Sequence, residues 1–418
     1  MRKAYRQEQK PFQGSFIRRG RCQLLALVLC SLLLAAASKT LAFETAGANS
    51  DFLIGISNAQ SGSAQILGKE LLAGSKAYFD LVNTAGGIRG RKIRLVVKDD
   101  GYEPDPALNN TNELITKDKV FFLFDYVGTP TLTRTLPLLQ YYELEHIINF
   151  APLTGADPQR RPPYDQFVFN IRAYYRDETH ALVDYLYRQG YRRIGFLGQA
   201  DAYGKSGEVG VTKALEAHGL KLAASATYRR GATFEMDMRQ QVEALKSKGV
   251  DAVISFGVYG PCAGFIRDAR LSGWQAPVAV VSFAGADELL RYLLRYSQAT
   301  NRNFTENLLT SQVVPSPQEI RHPLVASYCR TVRPAERSFI SLEGWLNGVV
   351  VVEALRRMRP PYSRKSFVDA LESLHDWDPG LHLSLNFSPT NHEGFHKVWI
   401  LETENLHWVP VMQGADQP

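Results

Sequence analysis

The residues best suited to chemistry follow short apolar runs. Ala59, Gln60, Ser61 and Gly62 come after Phe52–Ile56. Asp125, Tyr126, Gly128 and Thr129 come after Val120–Phe124, and Thr154 and Gly155 after Ile147–Phe150. Further on, Asp201 and Tyr203 follow Ile194–Leu197, Val258 and Tyr259 follow Ala252–Phe256, and Phe283 and Ala284 follow Val278–Val281. In an open parallel sheet, ligands sit at the carboxyl ends of strands, where helix N-termini supply free N–H groups. This inventory is one of hydroxyls, phenols and glycines. Its acids are Asp125 and Asp201, and it holds no histidine, so it lacks the nucleophile with base, paired carboxylates or metal ligands of an enzyme cleft.

Two motifs point to other chemistry and are better read otherwise. His392-Glu393-Gly394-Phe395-His396 matches the zinc-protease pattern, which needs both imidazoles one helical turn apart. Here Pro389 and Asn391 precede it, Gly394 interrupts it, and Lys397–Leu401 reads as a strand, so a polar hairpin turn is expected. Gly198 to Ser206 ends in Gly-Lys-Ser after a strand, like a phosphate loop. It has five residues between its glycines where the phosphate loop has four, and the nest of N–H groups depends on that number. No G-x-S-x-G or G-x-G-x-x-G occurs.

The elements that must position these residues alternate. Seven apolar runs rich in Val, Ile and Phe, Phe52–Ile56, Ile93–Lys98 and the five named above, read as strands, most of them buried on both faces. Helical patterns lie between them: 206–218 places Val211, Ala214 and Leu215 on one face and stops at Gly219, and 234–248 stops at Gly249. This alternation implies an α/β protein with parallel sheets and helices on both faces. It occurs twice, with the Pro-rich segment 152–163 between the sets. Ser311–Pro315 reads as a crossover, 341–358 as a helix and 383–401 as a final strand pair.

The chain has 418 residues, enough for two or three domains, with ordinary apolar and charged content of 45% and 22%. Its net charge of +6 sits in the first 42 residues, which carry eight Lys and Arg against Glu8. The remainder has 40 basic and 41 acidic residues, so nucleic acid is not an expected partner. The basic stretch, an apolar run from Leu24 to Ala37 and Thr40-Leu41-Ala42 read as a secretory signal peptide, 1–42, cleaved near Ala42. The body then keeps two cysteines, Cys262 and Cys329, whose pairing the sequence leaves open. Export places the protein in the periplasm, soluble after cleavage, as a monomer or weak dimer.

One stretch carries a family resemblance. Gly74 to Ala107 runs as a helix into Gly86-Gly87-Ile88-Arg89-Gly90, a strand at Ile93–Lys98 and a loop opening with Asp99-Asp100; ahead of it, Phe52–Ile56 leads into the small polar loop Ser57–Ser63. This layout resembles the branched-chain amino-acid (Leu/Ile/Val) binding-protein family of periplasmic solute receptors, over roughly 52–410. The resemblance implies the type I periplasmic-binding fold: two Rossmann-like lobes joined by three crossover strands. The N-terminal lobe would comprise 43–168 and 316–380, the C-terminal lobe 169–315 and 381–412, with a tail at 413–418. It implies no enzyme and no cofactor. A small organic ligand, amino-acid-like, carboxylate or amide, would be captured by hinged closure and passed to an ABC permease and its ATPase; the alternatives are a sensor for a membrane signalling protein and, more remotely, a secreted enzyme. In the family pattern, Thr129 and Thr154 match the hydroxyls that hold a ligand carboxylate, Gly128 and Gly155 the close backbone, and Tyr203 and Tyr259 the tyrosines that close over the ligand. Ser61, Tyr126, Gly155 and Asp201 complete the expected site. The acid that pairs with an α-ammonium is missing: Phe283 stands in that segment. A buried ammonium without counter-charge is costly, so a ligand lacking one is expected.

Overall fold

Residues 51–411 are described in a computed structural model; the segment read as a signal peptide, 1–42, together with 43–50, 412 and the tail 413–418, lies outside them. In chain order the first elements are β1 (Phe52–Asn58), α1 (Gln65–Thr84), β2 (Ile93–Asp99), α2 (Pro104–Thr116), β3 (Phe122–Phe124), α3 (Thr129–Tyr141), β4 (Asn149–Phe150) and β5 (Val168–Phe169). There follow α4 (Tyr175–Arg188), β6 (Ile194–Gln199), α5 (Ala202–Glu216), β7 (Ser225–Tyr228), α6 (Arg239–Lys246), β8 (Ala252–Phe256), α7 (Tyr259–Leu271), β9 (Val278–Val280), α8 (Ala286–Thr300) and β10 (Leu308–Gln312). The chain ends with α9 (Pro323–Thr331), α10 (Phe339–Arg357), α11 (Arg364–Glu372), β11 (Trp399–Glu404) and β12 (His407–Pro410).

The strands form two sheets. The first has the order β2-β1-β3-β4-β5 and is parallel throughout. The second has the order β12-β11-β10-β9-β8-β6-β7, parallel except for the two terminal strands. Each parallel part repeats one winding, in which the first strand lies between the second and the third: β2-β1-β3 in one sheet and β7-β6-β8 in the other. That reversal opens a crevice at the carboxyl ends, between β1 and β3 in one sheet and between β6 and β8 in the other. Strands such as β6 (Ile-Gly-Phe-Leu-Gly-Gln) and β8 are buried along their whole length because helices cover both faces.

Helices α1 and α10 form the tightest crossing. A methyl group built on Gly74 would stand 1.8 Å from the Ser341 carbonyl oxygen, and one on Gly344 would stand 2.1 Å from that of Leu71. The two glycines let the helix backbones touch, which places Trp345 and Phe79 in one core with Phe122 and Phe124 of the first sheet.

Three segments pass between the sheets: 170–174, 313–322 and the stretch leading into β11. The expected strand pair at 383–401 is corrected here. The paired strands are β11 and β12, lying further on, and 383–391 is held by isolated bridges and a turn closed between Ser388 and Asn391. Likewise 392–395 is not a hairpin turn. It lies extended against the first crossover, with Asn170 N donating to His392 O (2.9 Å), Gly394 N to Asn170 O (2.7 Å) and Phe395 N to Ile171 O (2.8 Å). The zinc pattern is thereby used for joining lobes. His392 stacks on Phe169 and bonds Glu372, whereas His396 bonds Asp177. Cys262 and Cys329 are both free thiols. Among the described residues no helix is long and apolar enough to cross a membrane.

Candidate functional site

The carboxyl ends of the two sheets face each other, and the lobes are shut upon one another. Ala59, Leu67, Val127, Leu153 and Ala156 of the first lobe belong to the same continuous apolar core as Phe196, Phe256 and Phe283 of the second. Polar contacts close the rim: Ile66 N donates to Tyr259 Oη (3.4 Å), Arg291 Nη2 to Glu70 (2.9 Å), and Arg230 pairs with Glu103.

At the centre, Thr129 heads α3 and Thr154 ends the loop after β4; their hydroxyls lie 2.6 Å apart. Above them stand the rings of Tyr175 and Tyr203, 5.4 Å apart, and Tyr203 packs on Phe283 at 4.7 Å and Phe256 at 5.3 Å. Tyr203 is placed by Asp201, which caps α5: its Oδ1 accepts from Tyr203 N (2.9 Å) and Gly204 N (3.4 Å). Burial pushes the Tyr175 phenol up to about 12 and Tyr203 well above its ordinary range, so both act as neutral hydroxyls.

The centre contains polar atoms with nothing to bond. Tyr203 Oη and Gln199 Oε1 are buried and have no hydrogen-bond partner. Each such atom costs about 1–3 kcal/mol, which is tolerated where function uses the group.

Thr129, Thr154, Tyr203 and Phe283 are thus brought together, with Tyr259 at the rim. Others differ from expectation. Tyr126 does not reach the cleft: its ring lies in the first lobe's core with Leu132 and Leu136, and its hydroxyl bonds that of Thr111 at 2.9 Å. Asp125, at a left-handed φ of 49°, breaks the strand alternation between β3 and Tyr126. Ser61 is exposed in its loop, its N–H donating to Asp99 Oδ1 (3.1 Å). The open faces of Gly128 and Gly155 are filled by the protein's own tyrosines. A methyl on Gly128 would meet the Tyr102 ring at 2.2 Å, and one on Gly155 would meet Tyr175 N at 2.5 Å.

The sequence reading does not reach Tyr102 or Gln199, and it takes the pair Tyr174-Tyr175 as aromatics that could face a pocket but more often pack cores or crossovers. Tyr102 follows β2, in the loop that opens with Asp99-Asp100. That loop is anchored by Asp100, whose carboxylate accepts from Ser57 Oγ (2.9 Å) and Tyr102 N (2.9 Å). Burial raises Asp100 to about 6. A carboxyl whose folded pKa exceeds its unfolded value binds its proton more tightly when folded. It therefore costs stability as pH rises from about 4 to about 6, and the cost is complete above that window. Asp100→Asn should raise the melting temperature at pH 8, by the equivalent of about 2–3 kcal/mol, and leave it unchanged at pH 4. Equal effects at both pH values would contradict this.

Neither Asp201 nor Asp125 is available to a ligand ammonium. Asp201 Oδ2 is taken by Gln199 Nε2 (2.6 Å) and Oδ1 by the helix. Asp125 points into the first lobe, where Asn347 Nδ2 donates to it (2.8 Å), and burial pushes its carboxyl well upward.

Residues 52–406 match the family model described as "Periplasmic binding protein". The chain is 27% identical over 230 residues to a Pseudomonas aeruginosa protein named "Amino acid binding protein", covering 54% of this chain and 59% of that one. It is 25% identical over 352 residues to the Brucella suis "Leu/Ile/Val-binding protein homolog 7", covering 80% and 82%. Among solved structures, a possible leucine/isoleucine/valine-binding protein from Rhodopirellula baltica superimposes with a TM-score of 0.79 at 32% identity, covering 87% of this chain and 97% of that one.

Proposed function

The chain belongs to the periplasmic binding protein family, whose members are binding proteins and not enzymes, and from that premise we propose that it captures an ammonium-free carboxylate or amide with an apolar body. The single observation that carries the reading is the shut centre between the lobes. There Thr129 and Thr154 pair their hydroxyls on one lobe, the unpartnered Tyr203 Oη lies on the other with its ring 5.4 Å from that of Tyr175, and the position matched to an ammonium partner holds Phe283. The ligand's polar end meets the two threonines and Tyr203, and its apolar body lies against Phe283 and Phe256. The relatives named for leucine, isoleucine and valine support an apolar body of that size.

Ligand is retained by its differential affinity for the shut state, in which its polar end reaches Tyr203 and its body packs on Phe283. Delivery from the periplasm to an ABC permease and its ATPase is the role proposed for that state. Thermal shift against acetate, butyrate, hexanoate, their amides, and leucine, isoleucine and valine tests the reading. Carboxylates or amides should stabilise by about 2.7 kcal/mol at a hundred times Kd, and the amino acids should not. Stabilisation by the amino acids alone would overturn it.

Tyr203→Phe separates binding from folding. It deletes a hydroxyl that no protein group bonds, so the ligand-free protein should be unchanged or slightly more stable. Affinity for the stabilising acid should fall ~10-fold, the loss of about 1.4 kcal/mol. Calorimetry checks both; unchanged affinity would remove Tyr203 from the site.

A further inference from the structure

We infer that Tyr102 is a built-in occupant of the cleft, which shuts the lobes without ligand and which a ligand must displace. It rests on the receptor reading only for what the ligand is. Tyr102 sits on a loop of the first lobe, where a phenol ordinarily reaches solvent, yet it is fully buried. Its backbone takes a left-handed φ of 66°, a conformation that disfavours a side chain and persists only where contacts enforce it. Those contacts lie on both lobes. On its own lobe the ring covers the open face of Gly128, beside Thr129. Across the cleft the ring meets Phe283 at 6.1 Å, and its Oη accepts from Gln199 Nε2 at 3.3 Å. The next residue, Glu103, pairs with Arg230 of the second lobe, whose guanidinium also lies 5.9 Å over the Tyr102 ring.

The ring therefore does within the chain what a ligand does between lobes. It fills apolar space against Phe283 and gives a hydroxyl to Gln199. Its reach is incomplete, because Tyr203 Oη and Gln199 Oε1 stay without partners. A carboxylate or amide that displaces it can accept from Tyr203 Oη, and an amide N–H can also donate to Gln199 Oε1; that difference is the gain available for exchange. Two consequences follow. The ligand-free protein is shut, and a ligand's apparent affinity is reduced by the fraction of protein that holds Tyr102 in place.

Tyr102→Gly is the sharpest test, because glycine adopts this φ without strain and the fold should survive. Small-angle scattering of ligand-free protein, with circular dichroism to confirm the fold, reads closure directly. The parent should scatter as the shut form and Tyr102→Gly as a more extended one. Hexanoate should bind the variant ~10-fold or more tightly than the parent, as removal of a competitor populated nine parts in ten requires. An extended ligand-free parent, or a variant as compact as the parent, would overturn the inference whatever either binds. If the variant opens but neither protein binds any acid or amide, the occupant stands and the proposed ligand class falls. Glu103→Gln, which leaves the ring and removes the rim ion pair, should open the protein less than Tyr102→Gly. An equal effect would assign closure to the ion pair instead.

Discussion

Arg172→Met is expected to cost about 3–5 kcal/mol of folding stability, enough to unfold much of the protein at 37 °C. Arg172 lies on the first crossover and is 2% exposed. Its guanidinium reaches three elements: it donates to Ser282 after β9, lies 3.7 Å from Glu178 of α4, and lies 3.6 Å from Glu343 of α10. Burial works against its charge, but Glu343 and Glu178 outweigh burial and raise its pKa. The two glutamates are themselves buried, and burial pushes both carboxyls upward. Glu178 is also held by Ser282 N (2.8 Å), Ser282 Oγ (3.0 Å) and Ser311 Oγ (2.6 Å). Removing the cation leaves two carboxylates facing each other in a dry hinge, and that uncompensated charge makes the effect large. Chemical denaturation measures it. Arg172→Met with Glu343→Gln should recover part of the loss, because one stranded charge goes with it. A single variant as stable as the parent would show that the hinge does not depend on this cluster.

Gly74→Ala should be as damaging, about 4 kcal/mol or more, from a single methyl group. A side chain can swing away from an inserted atom, but the obstruction here is the Ser341 carbonyl at 1.8 Å and the Trp345 nitrogen at 2.9 Å. Helices α1 and α10 must separate to admit it, and both cover the first sheet. Ala73→Ser, on the exposed side of the same helix, serves as the control and should stay within about 0.5 kcal/mol. Thermal unfolding of the two variants decides the point; similar melting temperatures would mean that the crossing adjusts freely.

Much of the site was legible because its positions are set by local rules. A strand rich in Ile, Val and Phe ends, a helix begins, and the residues between must lie at the sheet's carboxyl edge. Thr129, Thr154, Tyr203 and Phe283 were found in this way, and the repeated winding puts them opposite one another. Local rules do not say which way a residue in such a loop points, so Tyr126 was placed in the cleft when it belongs to the core. Nor do they show partners distant in the chain. Arg172, Ser282 and Glu343 meet only because three separate elements converge on the hinge. The run at 392–396 was legible as non-helical from Pro389, Asn391 and Gly394. Its partner, Asn170-Ile171, lies over two hundred residues earlier, and no periodicity links the two. Tyr102 could have been found. Asp-Asp-Gly before it marks a tight loop at the end of β2, the same kind of position as Thr129 and Tyr203.

On this reading the protein holds an acid or amide without an ammonium group. Native mass spectrometry of gently purified protein, followed by denaturation and identification of what is released, tests it most directly. A carboxylate or amide lacking an ammonium, retained by the parent and lost from Tyr203→Phe, is the predicted result. A standard α-amino acid released in its place would contradict the account, and would mean that Asp201 or Asp125 abandons its present partners to receive the ammonium.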